Sequence, residues 1–321
     1  MRVKILGSAA GGGFPQWNCG CSNCSRLRRG SLNAVPRSQI QVALTTDNQH
    51  WFLLNASPDL RTQIEATPEL HPRGLRDTPI AGVVLTTGDL DQVLGLLLMR
   101  ELQPIRIHAT DAVRSIVQRE NAFFNMLAQQ EGQSRWLRID AAGNFALSAN
   151  GSPALECRPV PLGSGYPAWV PQTLAKELPR EEAVLGLVIQ QAGSNAGVPN
   201  EPAVGLLGQG RLGYFPACGK ITPELIALLE SCDVVLFDGT FWSDDELQRA
   251  EPSARTARQM GHVPLGGDDG TLALLSVVRR PRKILLHINN TNPILNRDSA
   301  EHRQAVEAGW EIAEDGWDIR L

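Results

Sequence analysis

Short runs of aliphatic and β-branched residues, each ending in a polar or glycine-rich loop, recur along this chain. Val3-Lys4-Ile5-Leu6-Gly7 reads as a buried strand that opens onto Gly11-Gly12-Gly13. Gln39 to Thr45 and Trp51 to Leu54 read as two further strands, joined by the turn-like Asp47-Asn48-Gln49. A helix is expected from Asp59 to Thr67, entered through Ser57-Pro58-Asp59. Ile80 to Leu85 is β-branched and apolar, and a helix from Leu90 to Glu101 is expected after it. Ile105 to Ala109 predicts a strand, followed by a longer helix from about Asp111 to Gln129. From Leu137 to Gly213 the chain is richer in Pro and Gly, with strands at Leu155 to Pro161 and Val184 to Gln190. Thr222-Pro223-Glu224 starts a helix to Ser231, and Val234 to Asp238 and Ile284 to Ile288 are buried strands. Strands alternate with helices at both ends around a β-rich middle, which predicts an α/β protein. No repeat or long linker divides it, so a single domain over residues 1–321 is expected.

Composition narrows the function. The net charge is −4 with the two signs interspersed, which argues against nucleic acid as a partner. The most apolar window, Ala81 to Met99, is interrupted by Asp89 and Asp91, so no membrane insertion is expected. Val3–Leu6 is too short for the core of a signal peptide. A cytoplasmic protein is expected, and self-association into a homo-oligomer is left open.

Three of the six cysteines, Cys19, Cys21 and Cys24, fall within six residues. Reduced thiolates at this spacing suit a tetrahedral ion such as zinc, with Zn–S bonds of about 2.3 Å, and would supply three of its ligands. The alternative is a cluster of buried cysteines. Cys157, Cys218 and Cys232 are scattered in apolar contexts and read as core residues.

Active groups in α/β sheets gather where strands end. Thr86-Thr87-Gly88-Asp89-Leu90-Asp91-Gln92 follows one strand; Asp238-Gly239-Thr240 and His287 follow two others. Buried ionisable groups at such mouths are costly unless paired or metal-bound, which makes Asp89, Asp91, Asp238 and His287 candidate ligands of one cation. The competing reading is that Asp89 or Asp91 caps the following helix. The amides of Gly11 to Gly13 could cradle a carboxylate or merely form a tight loop. Arg61 and Trp17 are candidates to face an anionic aromatic substrate, or are surface residues. His50, His71 and His302 have bland contexts, and His108 is at most an outer partner of the site.

The order of these strand ends, with Gly261-His262 and Leu285-Leu286-His287-Ile288, resembles the metallo-β-lactamase superfamily. Its Thr-His-x-His-x-Asp-His-x-x-Gly signature keeps only Thr86, Asp91 and Gly95 here; Thr87, Asp89 and Gln92 replace the histidines. Three longer stretches, Gly7 to Cys24, Ser57-Pro58-Asp59-Leu60-Arg61 and His287 to Leu295, together with Asp315-Gly316, resemble the family of coenzyme PQQ synthesis protein B.

The resemblance implies a four-layer αββα sandwich of two sheets with helices outside. It implies a place in making pyrroloquinoline quinone (PQQ) from a ribosomal peptide. The family's role has been described both as iron-dependent hydroxylation of the tyrosine ring of a Glu–Tyr unit with O2, and as transport of PQQ or a precursor to the periplasm by a non-catalytic carrier. An active-site metal, Fe2+ or another divalent ion, is then expected at Asp89, Asp91, Gln92, Asp238 and His287, with Asp91, His287, Asp238 and His262 as the catalytic set. Members keep Asp-His where this chain has Asp91-Gln92, so weaker metal binding is expected there. A two-metal hydrolase needs more histidines than this frame offers, whereas one iron with open positions fits it. The cysteine triplet is expected to hold structural Zn2+. In a related phosphodiesterase of phosphonate breakdown, a histidine three residues after the His287 equivalent completes such a site; here that position is Asn290, leaving Asn290 or water as fourth ligand.

Overall fold

The structure, a computed structural model, describes residues 1–101, 103–119, 121–128, 132–149, 154–192 and 210–321. Its strands are β1 (Arg2–Gly7), β2 (Gln41–Thr45), β3 (Trp51–Leu54), β4 (Ile80–Val84), β5 (Ile105–Ala109), β6 (Ser134–Arg138), β7 (Phe145–Leu147), β8 (Leu155–Pro161), β9 (Leu185–Gln191), β10 (Leu212–Phe215), β11 (Val234–Asp238), β12 (Arg282–Leu286), β13 (Trp310–Ile312) and β14 (Asp318–Arg320). They form two seven-stranded sheets, ordered β14-β1-β2-β3-β4-β5-β6 and β13-β12-β11-β10-β9-β8-β7. Each sheet is antiparallel at one end and parallel at the other: β3 to β6 run parallel in the first, and β10 to β13 in the second.

Side-chain alternation explains the layering. Successive strand residues point to opposite faces. In β3, Phe52 and Leu54 face the second sheet, while Trp51 and Leu53 face outward. In β11, Val234 and Leu236 face inward, and Val235 and Phe237 face outward. The inner faces meet through residues such as Val42, Leu44, Ile189, Tyr214 and Ile284, all buried. Burying each such side chain is worth roughly 1.5–3 kcal/mol before entropy is subtracted. Helices α1 (Ser22–Arg28), α2 (Leu60–Glu65), α3 (Leu90–Val93), α4 (Asp111–Arg119), α5 (Gln172–Glu177), α6 (Pro223–Glu230), α7 (Glu246–Ala250), α8 (Thr271–Leu274) and α9 (Ala300–Glu307) complete the helical set among the described residues. Leu60, Val113 and Ile116 of α2 and α4 cover the outside of the first sheet. Leu225, Leu229, Leu272 and Ala305 of α6, α8 and α9 cover the second. This is the expected αββα sandwich. None of these helices is long and apolar enough to cross a membrane.

Helices α1, α5, α7 and α8 were not predicted, and two predicted helices end early. The helix expected over Leu90 to Glu101 is α-helical only to Val93, and Leu94–Met99 is a 3-10 helix. Hydrogen bonds to the exit of β3, Ala56 N to Gln92 O (2.7 Å) and Gly95 N to Ala56 O (2.9 Å), replace part of the α-helical pattern. The helix expected to Gln129 stops at Arg119, where the Asn121 amide caps the Ile116 carbonyl at 3.1 Å, and a 3-10 helix follows over Ala122–Ala128. Gln129 itself lies outside the described residues. Helix α1 was not expected. Its N-cap is Cys21, whose sulfur accepts from the Cys24 amide in place of the usual hydroxyl or carboxylate.

Gly95 lets α3 lie against the first sheet. A Cβ at this position would stand 2.3 Å from the Ser57 carbonyl oxygen and 2.8 Å from the Ala56 carbonyl carbon. Both are backbone atoms and cannot swing aside. Gly95→Ala should therefore cost about 1–3 kcal/mol, read as a lowered midpoint in thermal or urea unfolding.

Candidate metal centres at the strand ends

The mouth between the sheets is assembled from four chain segments. Inward alternation along β11 puts Asp238 at its end, buried between the layers. His287 follows β12 and holds a left-handed backbone, φ 58, which is uncommon for a residue with a side chain and typical of sites where geometry is imposed. His262 lies in the loop before α8, and Asp91 opens α3. Asp238, His262 and His287 bring their ligand atoms within 4.8 Å of one another. Asp91 joins them through its Oδ2, 3.3 Å from His287 Nε2.

Thr240 sets the orientation of both rings. Its Oγ1 lies 2.6 Å from Asp238 Oδ1, 2.8 Å from His287 Nδ1 and 3.1 Å from His262 Nδ1. A hydroxyl has one hydrogen. With that hydrogen given to Asp238, Thr240 accepts from His287 Nδ1–H, and His287 Nε2 is left facing Asp91. His262 Nδ1 is 2.7 Å from Asp238 Oδ2, which also accepts from the Cys218 amide at 2.8 Å.

The charges here are out of balance. Burial, and then the neighbouring Asp91, raise the pKa of Asp89 above the ordinary carboxylate value, against a hydrogen bond from Thr87. Burial opposes ionisation of Asp238, but His262, His287 and Thr240 overcome it and its pKa falls. Burial likewise opposes a charged His287, yet Asp91, Asp238 and Asp89 together raise its pKa. Three carboxylates around two imidazoles favour positive charge. A divalent cation satisfies that demand, and the mixed nitrogen and oxygen donors suit iron or zinc.

Gln92 borders the same cleft, but its Oε1 accepts from Asn55 Nδ2 at 2.6 Å. Asn55 also reaches Thr86 and Tyr214, so Gln92 belongs to a buried polar network between the sheets. The cleft encloses about 970 Å³. Tyr166, Trp169 and Phe241 give it aromatic walls, and Arg180, Arg255 and Arg258 stand at its rim. Arg258 pairs with Asp269 at 2.6 Å, whereas Arg180 and Arg255 have no ion-pair partner among the described residues. Trp17, 85% exposed, and Arg61, also exposed, do not line it, which favours the surface reading of both. The amides of Gly12 and Gly13 are bound to Gln39 Oε1 and Ala10 O, which favours the tight-loop reading over a carboxylate cradle. His108 stacks on Phe145 at 5.8 Å, away from the cleft, with a pKa lowered to about 4 by burial.

A second candidate centre lies beside α1. The sulfurs of Cys19, Cys21 and Cys24 are within 4.8 Å of one another. The side-chain amide of Asn290 covers them, with Nδ2 3.1 Å from Cys19 Sγ, 3.8 Å from Cys21 Sγ and 3.3 Å from Cys24 Sγ. Burial pushes the Cys21 thiol up to about 12. Burial also opposes ionisation of Cys19, but the amide of Cys21 and the neighbouring thiols bring its pKa below the ordinary value. Crowded sulfurs that cannot all ionise alone fit a thiophilic cation. Cys157, Cys218 and Cys232 are buried core residues, as expected.

Sequence reasoning missed Thr240 as a ring-orienting group, the arginine rim and Glu246. Thr240 had a signal, because it stands two residues after Asp238 at a strand end. Arg255 sits in a loop and Arg180 and Arg258 open three-residue 3-10 helices, too short to carry a periodicity, so the arginines had none.

A profile of the "Beta-lactamase superfamily domain" matches residues 50–288. The fold is that of this superfamily. Coenzyme PQQ synthesis protein B of Pseudomonas putida is 41% identical over 322 residues, covering both chains completely. The crystal structure of Zn2+-bound PqqB from Methylobacterium extorquens superposes with a TM-score of 0.85 at 37% identity, covering 100% of each chain. The chain belongs to the family of coenzyme PQQ synthesis protein B. A diphosphatase of the PhnP family, 18% identical with a TM-score of 0.63 over 99% of this chain and 97% of its own, shares the fold.

Glu246 provides a pH readout between the two centres. It is buried, and accepts from Trp242 N at 2.6 Å and Thr291 Oγ1 at 2.5 Å. Burial raises its pKa from 4.5 to about 7, against those hydrogen bonds. Across that window the unfolded chain has released a proton that the folded chain retains, so stability falls as pH rises, by about 3 kcal/mol at most. Glu246→Gln should flatten this slope in urea unfolding between pH 4.5 and 7. An unchanged slope would assign it to other groups.

Proposed function

We propose that this protein acts in the biosynthesis of pyrroloquinoline quinone, by iron-dependent hydroxylation of the tyrosine ring of a Glu–Tyr unit derived from a ribosomal precursor peptide. The pathway rests on the names of its relatives. The reaction rests on one observation: Asp238, His262 and His287, a carboxylate and two imidazoles, bring their ligand atoms within 4.8 Å of one another, and both imidazoles line an open cleft. Such a donor set, with positions left open, suits a non-haem iron(II) that works with O2. Iron held there would supply oxygen activation.

The chain's own residues then have separate tasks. Thr240 keeps both imidazoles turned toward the cleft. Asp91 adds negative charge beside His287. Asp89, with its raised pKa, can hold a proton at the edge of the site. Arg180 and Arg255 suit substrate carboxylates, and Tyr166, Trp169 and Phe241 suit a phenol ring. Cys19, Cys21 and Cys24 fit a zinc ion of structural role.

Anaerobically iron-loaded protein, given Glu–Tyr, O2 and a reductant, should form the ring-hydroxylated dipeptide, with one oxygen atom entering the ring and the other leaving as water. Asp91→Ala and His287→Ala should lose product formation at least a hundredfold while remaining folded by circular dichroism. Binding of the dipeptide without turnover, in protein whose iron content is verified, would replace this reading with a non-catalytic carrier.

The arginine rim gives a separate test. Each charge-assisted hydrogen bond is worth about 1.5–3 kcal/mol. Arg255→Ala and Arg180→Ala should each raise KM for Glu–Tyr roughly tenfold or more with kcat little changed. An unchanged KM in both variants would exclude these side chains from substrate binding.

A further inference from the structure

One six-residue segment, His287 to Asn292, runs from the strand-end centre to the thiol centre. At its start, His287 faces Asp91 and Thr240 in a left-handed backbone. Next, Ile288 N donates to Ser8 O at 3.0 Å, and Asn289 N to Thr240 O at 3.0 Å. Asn290 then covers the three sulfurs. Thr291 Oγ1 reaches Glu246, and Asn292 Nδ2 donates to the carbonyls of Gly239 and Thr240 at 3.0 and 3.2 Å. The segment is thus tied on one side to the loop that carries Asp238 and Thr240.

On the other side it is tied to α1 by Asn290, whose amide lies on the Cys24 sulfur, and by Asn23, which holds its backbone. Asn23 Nδ2 donates to Asn290 O at 3.2 Å and to Asn292 O at 3.0 Å. Asn23 lies between Cys21 and Cys24, yet its own amide touches no sulfur and no strand-end ligand. It joins the cysteine-bearing helix to the backbone that aims His287.

We propose that Asn23 is a positioning residue for the strand-end metal centre. Through its two hydrogen bonds, the ordered cysteine helix holds the His287–Asn292 segment in the shape that points His287 Nε2 at Asp91. The left-handed backbone of His287 is unfavourable for a residue with a Cβ, so it persists only while its surroundings impose it. Occupancy of one centre then favours the other, and linkage makes the effect reciprocal. This rests on the reading that both centres bind cations, and it needs no catalytic turnover.

The test uses the full chain with its thiol centre first filled by one equivalent of zinc. Cobalt(II) is then titrated into the strand-end centre and followed by its visible absorption. Asn23→Ala should weaken cobalt binding roughly tenfold, within the usual range of such couplings, while zinc stays bound at the thiols. Asn23→Asp keeps the volume and removes the donor, so it should weaken cobalt binding equally; it also serves if the alanine variant fails to fold. Cobalt affinity within twofold of the wild type in either folded variant, even with a lowered melting temperature, would overturn the proposal and leave Asn23 a local anchor of α1. No cobalt uptake by wild-type protein at the strand-end centre would instead sink the metal reading along with it.

Discussion

The constraint on which this structure turns is the excess of carboxylate over positive charge at the mouth between its sheets. Asp89, Asp91 and Asp238 meet two imidazoles in a place largely shielded from water. No single strand could impose that arrangement. Asp89 and Asp91 come from the first sheet, and Asp238 and His287 from the second, so the groups meet only when the two layers close. The apolar packing of Leu54, Tyr214, Leu236 and Ile284 behind them therefore offsets the cost of the polar floor.

Much of the fold was legible because buried strands carry their own signature. Val234 to Asp238 and Ile80 to Val84 are short apolar runs bounded by polar loops, and the structure places both in parallel parts of their sheets, buried throughout except at Ala81. The helices were harder to read. Leu90 to Glu101 has helical periodicity, yet the close approach of Gly95 to the backbone of Ala56 and Ser57 converts its second half to 3-10 form. That contact joins residues about forty apart, and local periodicity cannot contain it. Helix α1 was hidden because its N-cap is a cysteine sulfur.

The site divided in the same way. Strand ends could be found by pattern, so Asp91, Asp238 and His287 stood out beforehand. Cleft walls could not, since Arg180, Arg255 and Tyr166 belong to Pro- and Gly-rich connections whose paths are set by tertiary contacts. Gln92 shows how a substitution reads differently in three dimensions. In the sequence it is a missing imidazole; in the structure it also closes a network with Asn55, Thr86 and Tyr214 inside the sandwich.

Strands β1 and β14 pair in antiparallel register, and Met1 and Leu321 exchange backbone hydrogen bonds at 2.7 and 2.8 Å. The two ends of the described chain are therefore neighbours. They lie at the far end of β1 from the glycine loop that borders the cleft, about 20 Å away along a six-residue strand. An affinity handle or surface linker at either end would leave the entrance clear. A short peptide bridge between Met1 and Leu321 would permit new ends to be opened elsewhere on the surface, with the strand-end loops left intact.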